Sequence, residues 1–117
     1  MENNGIGLTV NGTSSTGVQV VLRDSVVSGN AGDGIAVETA GPLSFVLVER
    51  TASVNNGGNG IFVIGPHALV LMHGNVVSRN GTGLNAGPNG QLISYGTNKV
   101  NNNLGADGTP TSTFRPM

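Results

Sequence analysis

The stretch VQVVLRDSVVSGNAGDGIAV, residues 18–37, decides the fold because its pattern returns three more times along the 117-residue chain. The later copies are FVLVERTASVNNGGNGIFVI at 45–64, LVLMHGNVVSRNGTGLNAG at 69–87 and QLISYGTNKVNNNLGADG at 91–108. They align on four asparagines that lie 26, 24 and 22 residues apart, namely Asn30, Asn56, Asn80 and Asn102. Repeats of this length are typical of chains that stack equal units, since one unit cannot bury its own apolar face.

Each copy contains short apolar segments in which alternate residues share one face. The segment that opens each copy predicts these inward pairs: Val20 and Leu22, Val46 and Val48, Val70 and Met72, and Leu92 and Ser94. The segment after each asparagine, with an earlier half-copy, predicts Ile6 and Leu8, Ile35 and Val37, Ile61 and Val63, and Leu84 and Ala86. The segment just before each asparagine predicts Val26 and Ser28, Ala52 and Val54, Val76 and Ser78, and Asn98 and Val100.

These patterns predict an all-β chain that forms a parallel β-helix, or solenoid, of about four coils with three short strands per coil. Adjacent coils would lie roughly 4.8 Å apart. The four asparagines would form a ladder at a bend, because Asn tolerates a left-handed backbone. We expect the solenoid over residues 1–109 and a C-terminal tail over 110–117. The alternative, antiparallel strands with ordinary Asn-Gly loops, does not require the same asparagine to recur.

The units VVSGN at 26–30 and VVSRN at 76–80, each followed by a glycine-containing turn and an apolar strand, resemble a known family. So does the closing segment 94–103, which runs on to 107–111. The chain is similar to bacterial proteins with right-handed parallel β-helix repeats of the pectate-lyase-like superfold. The resemblance implies a right-handed sense and a secreted or cell-surface location, although Met1–Gly5 lacks signal-peptide character.

The resemblance predicts the fold and not the activity, because the superfold includes lyases, hydrolases, epimerases, phage tailspikes and adhesins. Enzymes of this superfold have more coils and often an N-terminal helix that covers the end of the stack. This chain begins on a strand-like segment with no amphipathic helix before it. We therefore expect an open N-terminal end, and exposed strand edges favour pairing with another chain.

Composition excludes several classes of partner. Charged residues make up 9% of the chain and the net charge is -1, so no basic surface is expected to bind nucleic acid. The absence of cysteine excludes disulfides and thiolate metal sites. No apolar run approaches the roughly 18 residues needed to span a bilayer, so no membrane span is expected.

Residues with catalytic chemistry are sparse. The carboxylates Glu2, Asp24, Asp33, Glu38, Glu49 and Asp107 fall on different strands or bends, so neither a calcium cluster nor a catalytic carboxylate pair is expected. We predict no catalytic, cofactor-binding or metal site. One outward column carries polar side chains that form a polar-patch candidate: Arg23, Glu49, His73 and Tyr95. A solvated ladder of alternating charge is the favoured interpretation, and a ligand or catalytic patch with His73 as acid or base is the alternative.

A second outward column is apolar and consists of Val21, Leu47, Leu71 and Ile93, with Phe45 and Leu69 beside it. Burial of each such side chain is worth roughly 1.5–3 kcal/mol, so a cover for this column is expected. The tail from Pro110 to Met117, with Phe114, is one candidate cover. A second protomer is the other, and we expect self-association.

The sequence thus predicts a non-catalytic structural or binding module that forms a homo-oligomer through its apolar outer face or an open end. A polysaccharide is a further candidate partner along the flat sheet. One alternative is the C-terminal fragment of a carbohydrate-active lyase or hydrolase whose catalytic coils lie outside this chain. Another is a segment of a fibre or tailspike.

Overall fold

The computed structural model describes residues 1–2, 4–12, 17–39 and 43–113, and these residues contain β-strands and no helix. The strands are β1 (Leu8–Asn11), β2 (Val18–Arg23), β3 (Val26–Ser28), β4 (Ile35–Glu38), β5 (Ser44–Glu49), β6 (Ala52–Val54), β7 (Asn59–Ile64), β8 (Ala68–His73), β9 (Val76–Ser78), β10 (Thr82–Ala86), β11 (Gln91–Ser94), β12 (Lys99–Asn101) and β13 (Ser112–Thr113).

The strands form three parallel sheets, and each coil of the chain contributes one strand to each sheet in turn. Sheet 1 has the order β2-β5-β8-β11-β13, sheet 2 the order β3-β6-β9-β12, and sheet 3 the order β1-β4-β7-β10. Every pairing between these strands is parallel. The all-β class and a solenoid of about four turns with three strands per coil are confirmed. The right-handed sense remains a prediction, consistent with the general handedness of parallel crossovers.

The core consists of inward stacks of aliphatic side chains, one layer from each coil. In sheet 1, Val46, Val70 and Leu92 are fully buried, and in sheet 3, Ile35 and Ile61 are fully buried. These residues pair in register with their copies in the next coil, as predicted. Each coil therefore completes the core of its neighbour, which explains why a single copy could not fold alone.

Two inward assignments were wrong. In sheet 2 the middle residue of each of the first three strands is buried, namely Val27, Ser53 and Val77, and Ser78 is buried as well. Val26 and Val76 are instead 55% and 39% exposed, and Ala52 and Val54 are partly exposed. Two adjacent valines make both faces of a three-residue strand equally apolar, so alternation alone could not identify the inner one. In the first half-coil Leu8 pairs with Ile35, whereas Ile6, the predicted partner, is exposed.

Two bends turn the chain between sheets, and both begin with a residue of positive φ. In the first bend, between sheets 1 and 2, these residues are Asp24 (51°), Arg50 (44°), Gly74 (66°) and Gly96 (82°). In the second bend, between sheets 2 and 3, they are Gly29 (68°), Asn55 (57°), Arg79 (57°) and Asn102 (56°). A left-handed residue redirects the chain from one sheet to the next, and Gly adopts this conformation without the steric cost that other residues pay.

An asparagine ladder follows the left-handed residue of the second bend. The backbone N–H and Nδ2 of Asn30 donate to Oδ1 of Asn56 at 3.2 and 2.9 Å. Asn56 donates in the same way to Oδ1 of Asn80 at 3.0 and 2.9 Å. Asn80 donates to Oδ1 of Asn103 at 2.9 and 3.1 Å. The ladder thus contains Asn30, Asn56 and Asn80 as predicted.

The fourth ladder residue is Asn103, and the prediction of Asn102 was wrong. Three asparagines stand in a row at 101–103, so the repeat pattern alone did not distinguish them. Asn102 is exposed and occupies the left-handed position that Arg79 holds one coil earlier. The last spacing is accordingly 23 residues between Asn80 and Asn103.

The first bend contains a shorter ladder, which the repeat pattern did not reveal. Oδ1 of Asn75 accepts the N–H of Thr51 at 3.0 Å, and Asn75 donates its own N–H and Nδ2 to Oδ1 of Asn98, both at 2.9 Å. Asn75 is buried, and its Nδ2 also donates to the carbonyl of Val48. This ladder joins the later coils to one another at the bend between sheets 1 and 2.

A column of glycines lies beside the ladder of the second bend, at the start of sheet 3: Gly7, Gly34, Gly60 and Gly83. A Cβ on Gly60 would lie 2.5 Å from Cγ1 of Val77 and 2.6 Å from Nδ2 of Asn80. The other three glycines face the equivalent groups at similar distances. The ladder asparagine of the following coil therefore fills the space in which any side chain at this column would lie.

The beginning and end of the described chain add to the sheets at their edges. Glu2 forms a parallel bridge with Ser28, and the carbonyl of Met1 accepts the N–H of Ser28 at 3.0 Å. Ser112 and Thr113, within the predicted tail, pair in parallel with Ile93 and Ser94. They extend sheet 1 at its edge and do not cross its face; Phe114 lies outside the described residues.

Candidate functional site

The outer face of sheet 1 brings most of the candidate residues together. Strand register aligns its outward side chains in three rows that run across the strands. The rows are Gln19, Phe45, Leu69 and Gln91; Val21, Leu47, Leu71 and Ile93; and Arg23, Glu49, His73 and Tyr95. The six apolar candidates thus form two adjacent rows, and the polar candidates form a third.

The apolar rows are partly open to solvent. Val21 is 53% exposed, and the other five apolar candidates are neither buried nor fully exposed. Side chains at the same position of adjacent strands are about 5 Å apart, close enough for the rows to form a continuous surface. This surface resembles one half of a sheet-on-sheet interface in its composition.

Glu49 lies between two guanidinium groups. Its Oε1 is 3.7 Å from Nη2 of Arg23, and its Oε2 is 3.7 Å from Nη1 of Arg50. The Glu49 side chain is 19% exposed, whereas both arginine side chains are more than half exposed. Ion pairs of this length with largely exposed arginines contribute little to stability, so this arrangement adds little to the stability of the chain.

Arg50 also forms a bidentate pair with Asp24, one coil earlier. Its Nε is 2.8 Å from Oδ1 of Asp24 and its Nη2 is 3.3 Å from Oδ2. The hydrogen bond from Arg50 lowers the pKa of Asp24, and the same bond raises the pKa of Arg50. Both residues have a positive φ, so the pair links two left-handed positions of the first bend.

His73 contacts both Thr97 and Tyr95. Its Nδ1 lies 3.1 Å from Oγ1 of Thr97, which accepts the N–H of Gly74 at 3.0 Å. Because the Thr97 oxygen already accepts a hydrogen bond, its own proton can be donated to Nδ1 when His73 carries its proton on Nε2. The rings of His73 and Tyr95 lie edge to face, with centroids 6.3 Å apart and an interplanar angle of 76°.

These side chains line a shallow depression of about 410 Å³, formed by Leu47, Glu49, Leu71, His73 and Tyr95. Its leucines provide an apolar floor, and its carboxylate, imidazole and phenol provide hydrogen-bonding groups at one side. Such a surface can accept a flat, partly apolar molecule that carries hydroxyl groups. The functional importance of the polar row remains a hypothesis.

Neither a metal cluster nor a spanning helix is found in the residues that the structure describes. They contain no group of three or more His, Asp and Glu side chains arranged to hold a metal ion. Nor do they contain a helix of the length and hydropathy needed to cross a membrane.

Sequence reasoning missed Asp24, Arg50 and Thr97 as neighbours of this surface. Arginine is rarely found at positive φ, so no local pattern indicates that Arg50 follows a strand at a bend. Thr97 is an insertion, since the last coil has one more residue between Tyr95 and Lys99 than the coil before has between His73 and Val76. Only the register of the sheets places these residues beside Glu49 and His73.

The described residues thus form a parallel β-solenoid of about four turns, with two rows of apolar side chains on the outer face of sheet 1. Comparison with protein-family models, with curated proteins and with solved structures finds no match. The similarity to the pectate-lyase-like superfold, and a bacterial source, accordingly rest on the sequence pattern alone.

Proposed function

We propose that this chain is a non-catalytic structural module that self-associates through the outer face of sheet 1. The supporting observation is a row of apolar side chains from four neighbouring strands of sheet 1, with Phe45 and Leu69 beside it. Burial of one exposed aliphatic side chain of this size is worth roughly 1.5–3 kcal/mol, so a contact that covers several of them gains free energy on both copies. A face-to-face contact between two such sheets spaces them by about 10 Å.

Sheet 2 provides an internal comparison. Its most exposed outward row contains Val26, Ala52 and Val76, and it ends in Lys99. These side chains are smaller than the leucines of sheet 1, and β3, β6, β9 and β12 have three residues each. A shorter sheet with smaller side chains and a terminal charge offers less area to a partner, which favours sheet 1 as the contact.

A matched pair of substitutions tests this proposal. Val21 on sheet 1 and Val26 on sheet 2 are 53% and 55% exposed and lie in the same coil. In light scattering after size-exclusion chromatography, we expect the unsubstituted chain to form a concentration-dependent oligomer. Val21→Lys should raise its dissociation constant by about tenfold or more, since the substitution loses roughly 1.5 kcal/mol or more of burial.

Val26→Lys serves as the control and should leave the dissociation constant unchanged. A strictly monomeric chain at all accessible concentrations would disprove the proposal. Equal weakening by the two substitutions would locate the contact elsewhere on the solenoid.

A second candidate function, polysaccharide binding, is favoured by the depression beside Tyr95. Aromatic rings pack against the apolar faces of sugars, and Glu49 and His73 lie where they could bond hydroxyl groups. A glycan array with the purified chain tests this, followed by titration of any hit. Tyr95→Ala should abolish binding, and Lys99→Ala, an exposed residue on sheet 2, should retain it. An array without hits would exclude this candidate for the glycans on it.

A further inference from the structure

The position that continues the glycine column beyond Gly83 carries a residue with a side chain. The N–H of Gly83 donates to the carbonyl of Ala106 at 2.8 Å, and Thr82 forms a parallel bridge with Ala106. This register places Asp107 opposite Gly83, where Gly60 and Gly34 stand in the preceding coils. Asp107 is therefore the fifth member of the column and its first member with a side chain.

A side chain is tolerated at this rung because no described coil follows it. In the earlier rungs the space is filled by the next ladder asparagine; a Cβ on Gly83, for example, would lie 2.7 Å from Nδ2 of Asn103. The same space beyond Asp107 is filled by its own carboxylate. Oδ1 of Asp107 accepts the backbone N–H of Asn103 at 3.2 Å and its Nδ2 at 2.9 Å.

These two bonds reproduce the ladder. Asn103 itself accepts the N–H and Nδ2 of Asn80 through a single Oδ1, at 2.9 and 3.1 Å. Asp107 presents one oxygen to the same two donors of the preceding ladder residue, but from within the same coil. It thus supplies the acceptor that a further coil would otherwise contribute.

We propose that Asp107 is the terminal cap of the asparagine ladder. An ionised carboxylate accepts hydrogen bonds and donates none, so the Asp107 side chain completes the bonding of Asn103 and offers no side-chain donor to another rung of the ladder. A charged group at the end of a sheet is also one of the ways in which proteins discourage edge-to-edge pairing. The ladder therefore needs no second copy to complete its bonding at this end. If the proposed function holds, the copies then associate through the outer face of sheet 1.

Amide hydrogen exchange followed by NMR tests the cap. Asp107→Ala removes the acceptor, and we expect the N–H of Asn103 to exchange about tenfold faster, as the loss of hydrogen bonds to a charged group implies. Asp107→Asn retains Oδ1 and should keep the exchange rate within about twofold of the unsubstituted chain. Glu38→Ala, which removes an exposed carboxylate from β4, is the charge-matched control and should change nothing at Asn103.

Unchanged exchange in Asp107→Ala would overturn the cap, as would equal rates in Asp107→Ala and Asp107→Asn. The oligomer mass of Asp107→Ala is a second readout and should not fall below that of the unsubstituted chain; a smaller mass would show that this end takes part in assembly and would contradict the cap. The exchange rate of the Asn103 N–H tests the cap, and the oligomer mass of the unsubstituted chain tests self-association. If the unsubstituted chain is monomeric and Asp107→Ala still speeds the exchange, self-association is refuted and the cap is supported.

Discussion

Both bends of the solenoid begin with a residue of positive φ, but the side-chain contacts that stabilise them differ. At the second bend, Asn30, Asn56, Asn80 and Asn103 form an unbroken ladder that ends on Asp107. At the first bend, the ladder seen in the described part of the chain consists of Thr51, Asn75 and Asn98, and the side chains of the exposed Asp24–Arg50 pair connect the earlier coils. A left-handed residue thus turns the chain at either bend. The side-chain bonds between coils are mostly buried at the second bend, and they lie partly on the surface at the first.

The largest expected difference between the bends comes from deleting a ladder side chain. Asn80→Ala leaves the buried N–H of Asn56 without its acceptor and removes one partner of its Nδ2. We expect a loss of about 3 kcal/mol in the free energy of unfolding. Asn75→Ala deprives only the N–H of Thr51 of an acceptor and should cost about 1.5 kcal/mol. Urea denaturation of both variants measures the two values, and equal losses would contradict the contrast between the bends.

A smaller effect is expected from filling the glycine column beside the second bend. In Gly60→Ala the new methyl group would lie 2.5 Å from Val77 and 2.6 Å from Asn80, so neighbouring coils must separate locally. The expected loss is about 2 kcal/mol, the usual cost of overpacking. Gly5→Ala is the control, because no atom lies within 4 Å of its Cβ position, and it should be close to neutral. A midpoint of thermal unfolding for Gly60→Ala that matches Gly5→Ala would show that the column is not tightly packed.

The smallest effect is expected at the surface pair of the first bend. Arg50 lowers the pKa of Asp24 in the folded chain, so the pair stabilises the fold above the unfolded pKa of the carboxyl. That contribution is lost as the pH falls through the lowered folded pKa. Thermal unfolding of Asp24→Asn and the unsubstituted chain should therefore differ slightly at pH 7 and converge toward pH 2. A difference that grows in acid would have the opposite sign and would exclude this account.

Some features of the fold followed directly from alternation in the sequence. Val46, Val48, Val70 and Met72 stand at alternate positions of long strands, so their inward direction could be read from the pattern. The outward rows of sheet 1 followed from the same alternation. The four copies align without a gap from the start of the first strand to the row of Arg23, Glu49, His73 and Tyr95.

Other features depend on neighbours that no single copy specifies. Val26 and Val27 are chemically identical, and only the geometry of the preceding bend decides which of them is buried. Asn102 and Asn103 are likewise identical, and the demand for a left-handed residue before the ladder separates their roles. The ladder of the first bend was missed because its positions differ in residue type and because Thr97 displaces Asn98 by one residue.

The asparagine ladder has a direction along the axis of the solenoid. Each Oδ1 faces the preceding coil, and each backbone N–H faces the following one. The side-chain and backbone dipoles therefore have a common axial component, much as peptide dipoles do in an α-helix. The positive pole lies at the N–H groups of Asn103, where the carboxylate of Asp107 is bound. An anion at a positive pole is the arrangement that electrostatics favours, and a lysine in its place would be repelled.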